Sequence, residues 1–302
     1  MLSCRSTPFV VFKRARMLRN DDPGFLLASH HLCFLRLTSS GPPPSSPPKP
    51  GSFSERYDRF VARWPKIYAY HRMVVDGSRW CYSDVKTYIR VRRELLSNRR
   101  KLNDLSMDEL EVLVQMRMDL PKMSLTAVPL LLPFGFYIIG FAIIFFPRLV
   151  LTRHFWTDAQ RKEFFRKEVL ESMRYSSQAK EVIGNPSSVE DVRLPKLEHV
   201  GANVLVALAA VYSMLPLPGI GRRFMQRCEA VRQLDKVIVG NIESLTERQL
   251  NFHLFIRRIV IPTNASDSEM RNLLTKWIKF TSHLDDGAYL FAPIFFNEKR
   301  ST

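Results

Sequence analysis

Met123-Ser-Leu-Thr-Ala-Val-Pro-Leu-Leu-Leu-Pro-Phe-Gly-Phe-Tyr-Ile-Ile-Gly-Phe-Ala-Ile-Ile-Phe-Phe-Pro147 is an unbroken run of 25 uncharged, mostly apolar residues. A helix needs about 20 such residues to cross the hydrocarbon core of a bilayer. The run lies mid-chain, so it is not the apolar core of a secretory signal. It predicts one transmembrane helix over 123–147. Charged residues make up 25% of the 302-residue chain. That fraction excludes a multi-span transporter and predicts one span with helical domains outside the bilayer.

Flanking charge gives the predicted orientation. The 20 residues before the run carry Arg117 and Lys122 against five acids. The 20 after it carry Arg148, Arg153, Arg161, Lys162, Arg166 and Lys167 against Asp158 and Glu163. The positive flank stays in the compartment of synthesis or its mitochondrial equivalent. The C-terminal part is therefore expected in the matrix and residues 51–122 in the intermembrane space. Gly201 to Gly221 is a second uncharged stretch, of 21 residues, but its helical core Asn203–Leu215 is too short to span. It reads as the central buried helix of the C-terminal domain, with a second span as the alternative.

The first 20 residues contain no acid, and Arg5, Lys13, Arg14, Arg16 and Arg19 are interleaved with Phe9, Val10, Phe12, Met17 and Leu18. This basic, amphipathic start has the character of a mitochondrial transit peptide, placed over 1–38. Residues 39–52 are a Pro- and Ser-rich linker. Residues 53–122 form a basic and aromatic helical region, 123–147 the membrane helix and 148–302 the C-terminal domain. The four cysteines, Cys4, Cys33, Cys81 and Cys228, are too scattered for a zinc site or a disulfide framework. They read as buried or partly buried thiols.

Everything after the linker reads as helix, giving an all-α fold class. Ser106-x-x-Glu109, Thr157-x-x-Gln160, Thr246-x-x-Gln249 and Ser266-x-x-Glu269 each have the form of a capping box at the edge of an apolar-periodic segment. Leu105 with Leu110, and Leu245 with Leu250, are placed as hydrophobic staples. A charged helix is predicted from Thr157 to about Lys180, followed by a loop over Gly184 to Pro195.

No catalytic constellation is present, and a non-enzymatic protein without cofactor or metal is expected. The seven histidines are scattered, and none pairs with another His or Cys at metal-ligand spacing. His154, beside Arg153 and Phe155, reads as interfacial. Gly219-Ile220-Gly221-Arg222-Arg223 lacks the third glycine or the Lys-Ser of a phosphate loop and follows a helix rather than a strand. What remains is charge. The whole chain carries +16, and residues 148–302 hold 23 Lys and Arg against 17 Asp and Glu. Arg222, Arg223, Arg227, Arg257, Arg258, Lys276 and Lys279 are the candidate anion-binding residues, suited to RNA phosphates. The basic run Tyr82 to Lys101 reads either as a phosphate-binding face or as a solvated helix face. Arg148, Arg153, Arg161 and Lys162 are candidates for anionic lipid headgroups.

Several motifs resemble the LETM-domain family of the mitochondrial inner membrane, the leucine-zipper and EF-hand-containing transmembrane proteins. They are Arg117-x-Asp119-Leu120, Pro133-Phe134-Gly135, Phe146-Pro147-Arg148-Leu149 and Phe155. Further along come Tyr212-Ser213-Met214-Leu215-Pro216, Gln233-Leu234-Asp235-Lys236, Leu245-Thr246-x-x-x-Leu250, and Leu273, Leu274, Trp277 and Ile278 in a closing helix. The resemblance covers roughly 57–285 and is stronger to the short members than to the long ion-exchange members. It implies a membrane-anchor motif of Pro133, Phe134, Gly135, Pro147 and Arg148. It also implies a C-terminal 14-3-3-like, ribosome-binding helical domain and support of mitochondrial translation and membrane-protein insertion. Expected partners are the mitochondrial ribosome and inner-membrane lipids, with the long paralogue and a second copy of the chain as further candidates. The alternative implied function is a subunit or regulator of potassium or calcium exchange against protons. Against it, no charged residue lies within 123–147, and the chain has neither a heptad stretch nor an EF-hand loop.

Overall fold

The computed structural model describes residues 60, 63–130, 132, 134–192, 194 and 200–301. The predicted transit peptide and linker, and Pro133, lie outside them. The described residues are helical, with no strand among them. In chain order the α-helices are α1 Pro65–Leu96, α2 Met107–Leu130, α3 Gly135–Phe145, α4 Pro147–Val150, α5 Asp158–Met173, α6 Ser176–Val182, α7 Ala202–Val211, α8 Ile220–Val239, α9 Glu247–Ile256, α10 Asp267–Thr281 and α11 Asp286–Ser301.

Local chemistry accounts for most helix ends. All four predicted capping boxes form. At α5, Gln160 N–H donates to Thr157 Oγ1 at 3.3 Å and Thr157 N–H donates to Gln160 Oε1 at 3.1 Å. The same reciprocal pair starts α2 at Ser106 and Glu109, α9 at Thr246 and Gln249 and α10 at Ser266 and Glu269. Both staples are buried. Pro65 occupies the first turn of α1, where a missing N–H costs nothing. Asn98, at φ 53°, turns the chain after α1.

The core is continuous from α1 to α11. Val91 of α1 and Leu110, Leu113 and Met116 of α2 join Phe224, Leu234 and Ile238 of α8, Leu274 and Trp277 of α10 and Phe291 of α11. α2 packs along α8 and also along α1. α7 buries Ala207, Leu208, Ala209 and Val211 and is only 10 residues long. This is the short central helix expected of the second uncharged stretch. The predicted helix 157–180 is two helices, because the chain turns at Arg174 and Tyr175 between α5 and α6.

The predicted transmembrane helix 123–147 is not formed. No helix among the described residues is long and apolar enough to cross a membrane. The run divides between the last turns of α2, the 11-residue α3 and the start of α4. Pro121 and Pro129 lie inside α2, where each removes a hydrogen-bond donor. Phe134 then takes a left-handed conformation at φ 67°, and α3 packs back against α2. The regions predicted as 53–122 and 148–302 meet in the structure. α2 lies before the run and α8 after it, yet the two share one core.

Candidate functional site

Three features carry the chemistry of this chain: an apolar hairpin, the polar clamp at its base and the exposed basic residues of the body.

The hairpin is α2 from Lys122 onward, the turn, and α3 with α4. Its turn is closed by backbone bonds, Leu132 N–H to Pro129 O, Gly135 N–H to Leu132 O and Tyr137 N–H to Phe134 O, each 3.0 Å. Ile139 faces inward. Leu125, Val128, Leu132, Phe134, Tyr137, Ile138, Phe141, Phe145 and Phe146 face out, with Phe134 at 77% and Phe141 at 60% exposure. A stable water-soluble surface rarely leaves so many large apolar side chains contiguous and uncovered.

Both ends of the apolar run are held on one helix. Lys122, immediately before it, lies 3.7 Å from Glu168 of α5, and Arg148, immediately after it, meets Glu171 of α5 at 2.8 Å. Glu168 and Glu171 are three residues apart, hence neighbours on one helix face. Thr126 Oγ–H adds a hydrogen bond to Val150 O at 2.8 Å. Glu168 also meets the buried Arg258 at 3.1 Å. Burial alone would raise its pKa, but Arg258 and Lys122 outweigh that and hold the carboxyl below its ordinary range.

Beneath the hairpin the chain before the run is clamped to the chain after it. Arg153 Nη2 donates to Asp84 of α1 at 2.7 Å, and its Nε lies 3.3 Å from Asp119 of α2. His154 Nε2 is 3.0 Å from the same Asp84 carboxylate, and its Nδ1 is 2.9 Å from Thr152 Oγ1. All of these side chains are buried. Trp80 of α1 lies under three guanidiniums, Arg248 at 4.1 Å, Arg153 at 5.3 Å and Arg161 at 5.5 Å from its ring centre. Each cation–π contact of this kind contributes about 0.5–2 kcal/mol, depending on desolvation. Gly77, one turn earlier, lets α1 approach: a Cβ there would stand 2.8 Å from His154 O and 2.7 Å from the Phe155 ring. Gly77→Ala is expected to lower stability by about 1–3 kcal/mol through overpacking against this backbone, read as a lower urea midpoint with an unchanged slope.

These groups revise several sequence expectations. His154 is buried, not interfacial. Arg153 and Arg161 are buried as well, Arg161 donating to Arg153 O and Trp156 O at 3.0 Å each, so neither is available to lipid headgroups. Lys162 pairs with Glu247 at 3.1 Å on the surface, and Arg148 is spent on Glu171. Of the anion-binding candidates, Arg227, Arg257 and Arg258 are 4%, 1% and 0% exposed and serve the core. Arg257 meets Asp235 at 2.6 Å, and Tyr289 OH donates to the same carboxylate at 2.7 Å. Arg227 donates to Ile256 O at 2.7 Å, and burial together with the nearby Arg258 brings its guanidinium down to about 10. Arg223 donates to Leu215 O and Leu217 O, closing the turn before α8. Arg222, Lys276 and Lys279 remain exposed. The basic run before Lys101 lies mostly on α1, with Lys86, Arg90, Arg92, Arg93 and Arg99 exposed, while Arg100 is tied to Glu94 and Glu109.

The clamp was missed at the level of sequence. Its one signal is Asp84, an acid in the otherwise basic run from Tyr82 to Arg93. Among the described residues no group of three or more His, Cys, Asp or Glu has metal-site geometry.

Comparison with known proteins bears on the same region. Residues 105–191, from the start of α2 through the hairpin and α5, match the family model described as LETM1-like, RBD. The human protein named LETM1 domain-containing protein 1 is 22% identical over 277 residues, covering 79% of this chain and 77% of that protein. The Xenopus tropicalis protein of the same name is 31% identical over 112 residues, covering 37% of this chain and 32% of that one. The Bos taurus counterpart is 30% identical over 110 residues, covering 36% and 31%. No solved structure matches.

Proposed function

Because this chain is a member of the LETM-domain family, we propose that it is a non-enzymatic adaptor attached to the mitochondrial inner membrane, whose helical body binds the mitochondrial ribosome. The observation that carries this reading is the placement of the LETM1-like, RBD match: it spans the apolar hairpin and the helices that anchor it. The match takes in the hairpin together with α2, α5 and α6, which supports reading attachment and binding as properties of one unit. The adaptor works by effective concentration, holding translation beside the bilayer into which products insert. Residues 1–38 act as the transit peptide.

Binding to ribosomal RNA through exposed cations carries a salt signature. Full-length protein in detergent, co-sedimented with purified mitochondrial ribosomes, is expected to bind at low salt and release as salt rises. Joint charge reversal of Arg222, Lys276 and Lys279 is expected to weaken binding about ten- to a hundredfold. Absence of co-sedimentation at low salt would remove the ribosome from this account. The ion-exchange alternative draws no support from the hairpin: between Lys122 and Arg148 it has no Asp, Glu, Lys, Arg or His to line a pathway.

A further inference from the structure

We infer that the apolar hairpin enters only one leaflet of the bilayer, so that α1, α2 and the whole C-terminal body lie on the same side of the membrane. This inference rests on the membrane attachment proposed above and specifies its form.

Three observations meet here. The first is the closure of the run on itself. Lys122 and Arg148 flank it on either side, and both are paired to α5 within one turn. A spanning segment would put these two residues on opposite faces of a hydrocarbon core about 30 Å thick. Asp84 and Asp119, both before the run, also share the buried Arg153 after it. That ion-paired cluster cannot be divided between two compartments without leaving charges buried and unpaired.

The second observation is length. The 11 residues of α3 rise about 16 Å at 1.5 Å per residue. That matches the roughly 15 Å of one leaflet's hydrocarbon, half of the full core.

The third is chemistry. The outward side chains are Leu, Val, Ile, Phe and Tyr, and the turn places the Leu132, Gly135 and Tyr137 N–H groups in hydrogen bonds, as hydrocarbon demands. Lys122 and Arg148 sit at the base, each paired to an acid of α5, so the charged groups nearest the run stay together below its apolar part. Apolar tip and leaflet length together select lipid as the occupant of this surface.

The test uses the full chain, synthesised cell-free in the presence of sealed vesicles of phosphatidylcholine and phosphatidylglycerol. Cys4, Cys33 and Cys81 are replaced by serine. Cys228 is retained, because burial pushes its thiol well above its usual range. One reporter cysteine is then placed at an exposed site, Arg99→Cys after α1 or Lys276→Cys in α10. The floated vesicles are treated with a membrane-impermeant maleimide, with and without detergent. The expected result is flotation with both reporters labelled to the same extent before detergent. Flotation with one reporter protected until detergent is added would show a spanning segment and overturn the one-leaflet arrangement. Failure to float would overturn membrane attachment itself. Oligomers in place of flotation would assign the apolar face to a second copy of the chain.

Discussion

Phe141→Asp should release the protein from membranes. The Phe141 side chain is 60% exposed on α3, and its ring meets that of Phe145 on the same helix. In water the substitution costs the fold little. In lipid it forfeits about 2 kcal/mol of apolar burial and adds roughly 2.5–3.5 kcal/mol for a carboxylate in hydrocarbon. The sum, about 5 kcal/mol, is a loss of partitioning of roughly several thousandfold. Vesicle flotation would show the variant in the soluble fraction, with a melting temperature unchanged from the parent. Val239→Asp is the matched control, because Val239 is similarly exposed but lies at the end of α8. It should still float. If Phe141→Asp floats like the parent, the outward face of α3 does not meet lipid.

Arg153→Met should strongly destabilise the body. The side chain fits by volume, but Asp84 and Asp119 lose the cation they share. Removing one partner of a buried ion pair costs about 3–5 kcal/mol, because the remaining charge stays desolvated. For a domain of this size that lowers the melting temperature by roughly 10 °C. Adding Asp84→Asn and Asp119→Asn to Arg153→Met removes the stranded charges and should recover part of the loss. The cycle separates electrostatics from packing: without recovery, the effect belongs to the Trp80 and Phe252 rings that the guanidinium covers. Limited proteolysis gives a second readout, since α1 should be released first when its clamp fails.

The features legible in the sequence were those that short segments decide. A capping box is a contract between residues three apart, and Ser106, Thr157, Thr246 and Ser266 honour it wherever the rest of the chain goes. The core helix α7 was legible for a similar reason, being apolar but for Asn203 in its first turn and too short to span. The hairpin was not, because hydropathy measures length of apolar chain and is blind to its direction. Twenty-five uncharged residues satisfy a bilayer either by crossing it or by folding back. The signals for folding back, Pro129, Pro133 and Gly135 within seven residues, lie inside the run, whereas the transmembrane expectation rests on its length and lack of charge.

The basic residues failed for the opposite reason. A Lys or Arg in a sequence reads as surface, since such side chains are seldom buried without partners. Arg257 and Arg258 are adjacent in sequence, yet each is buried against an acid from elsewhere, Asp235 of α8 and Glu168 of α5. Nothing within a helix length of either one announces that partner. Arg222, Lys276 and Lys279 kept their predicted exposure because their helices turn that face outward.

The order in which the chain emerges gives the packing of α2 a kinetic meaning. α2 finds its cover in α8, with five helices between them in the chain, and the acids that hold the base of the hairpin lie on α5. During vectorial delivery from the N-terminus, the aromatic tip and the inner face of α2 appear together, well before either is sheltered. Such an interval invites aggregation. A bilayer already alongside would take up the tip first and leave α2 oriented at its surface, waiting for its partner. Embedding would then be an early step of folding rather than a fate of the finished protein, and delivery far from a membrane would endanger the body as much as the anchor.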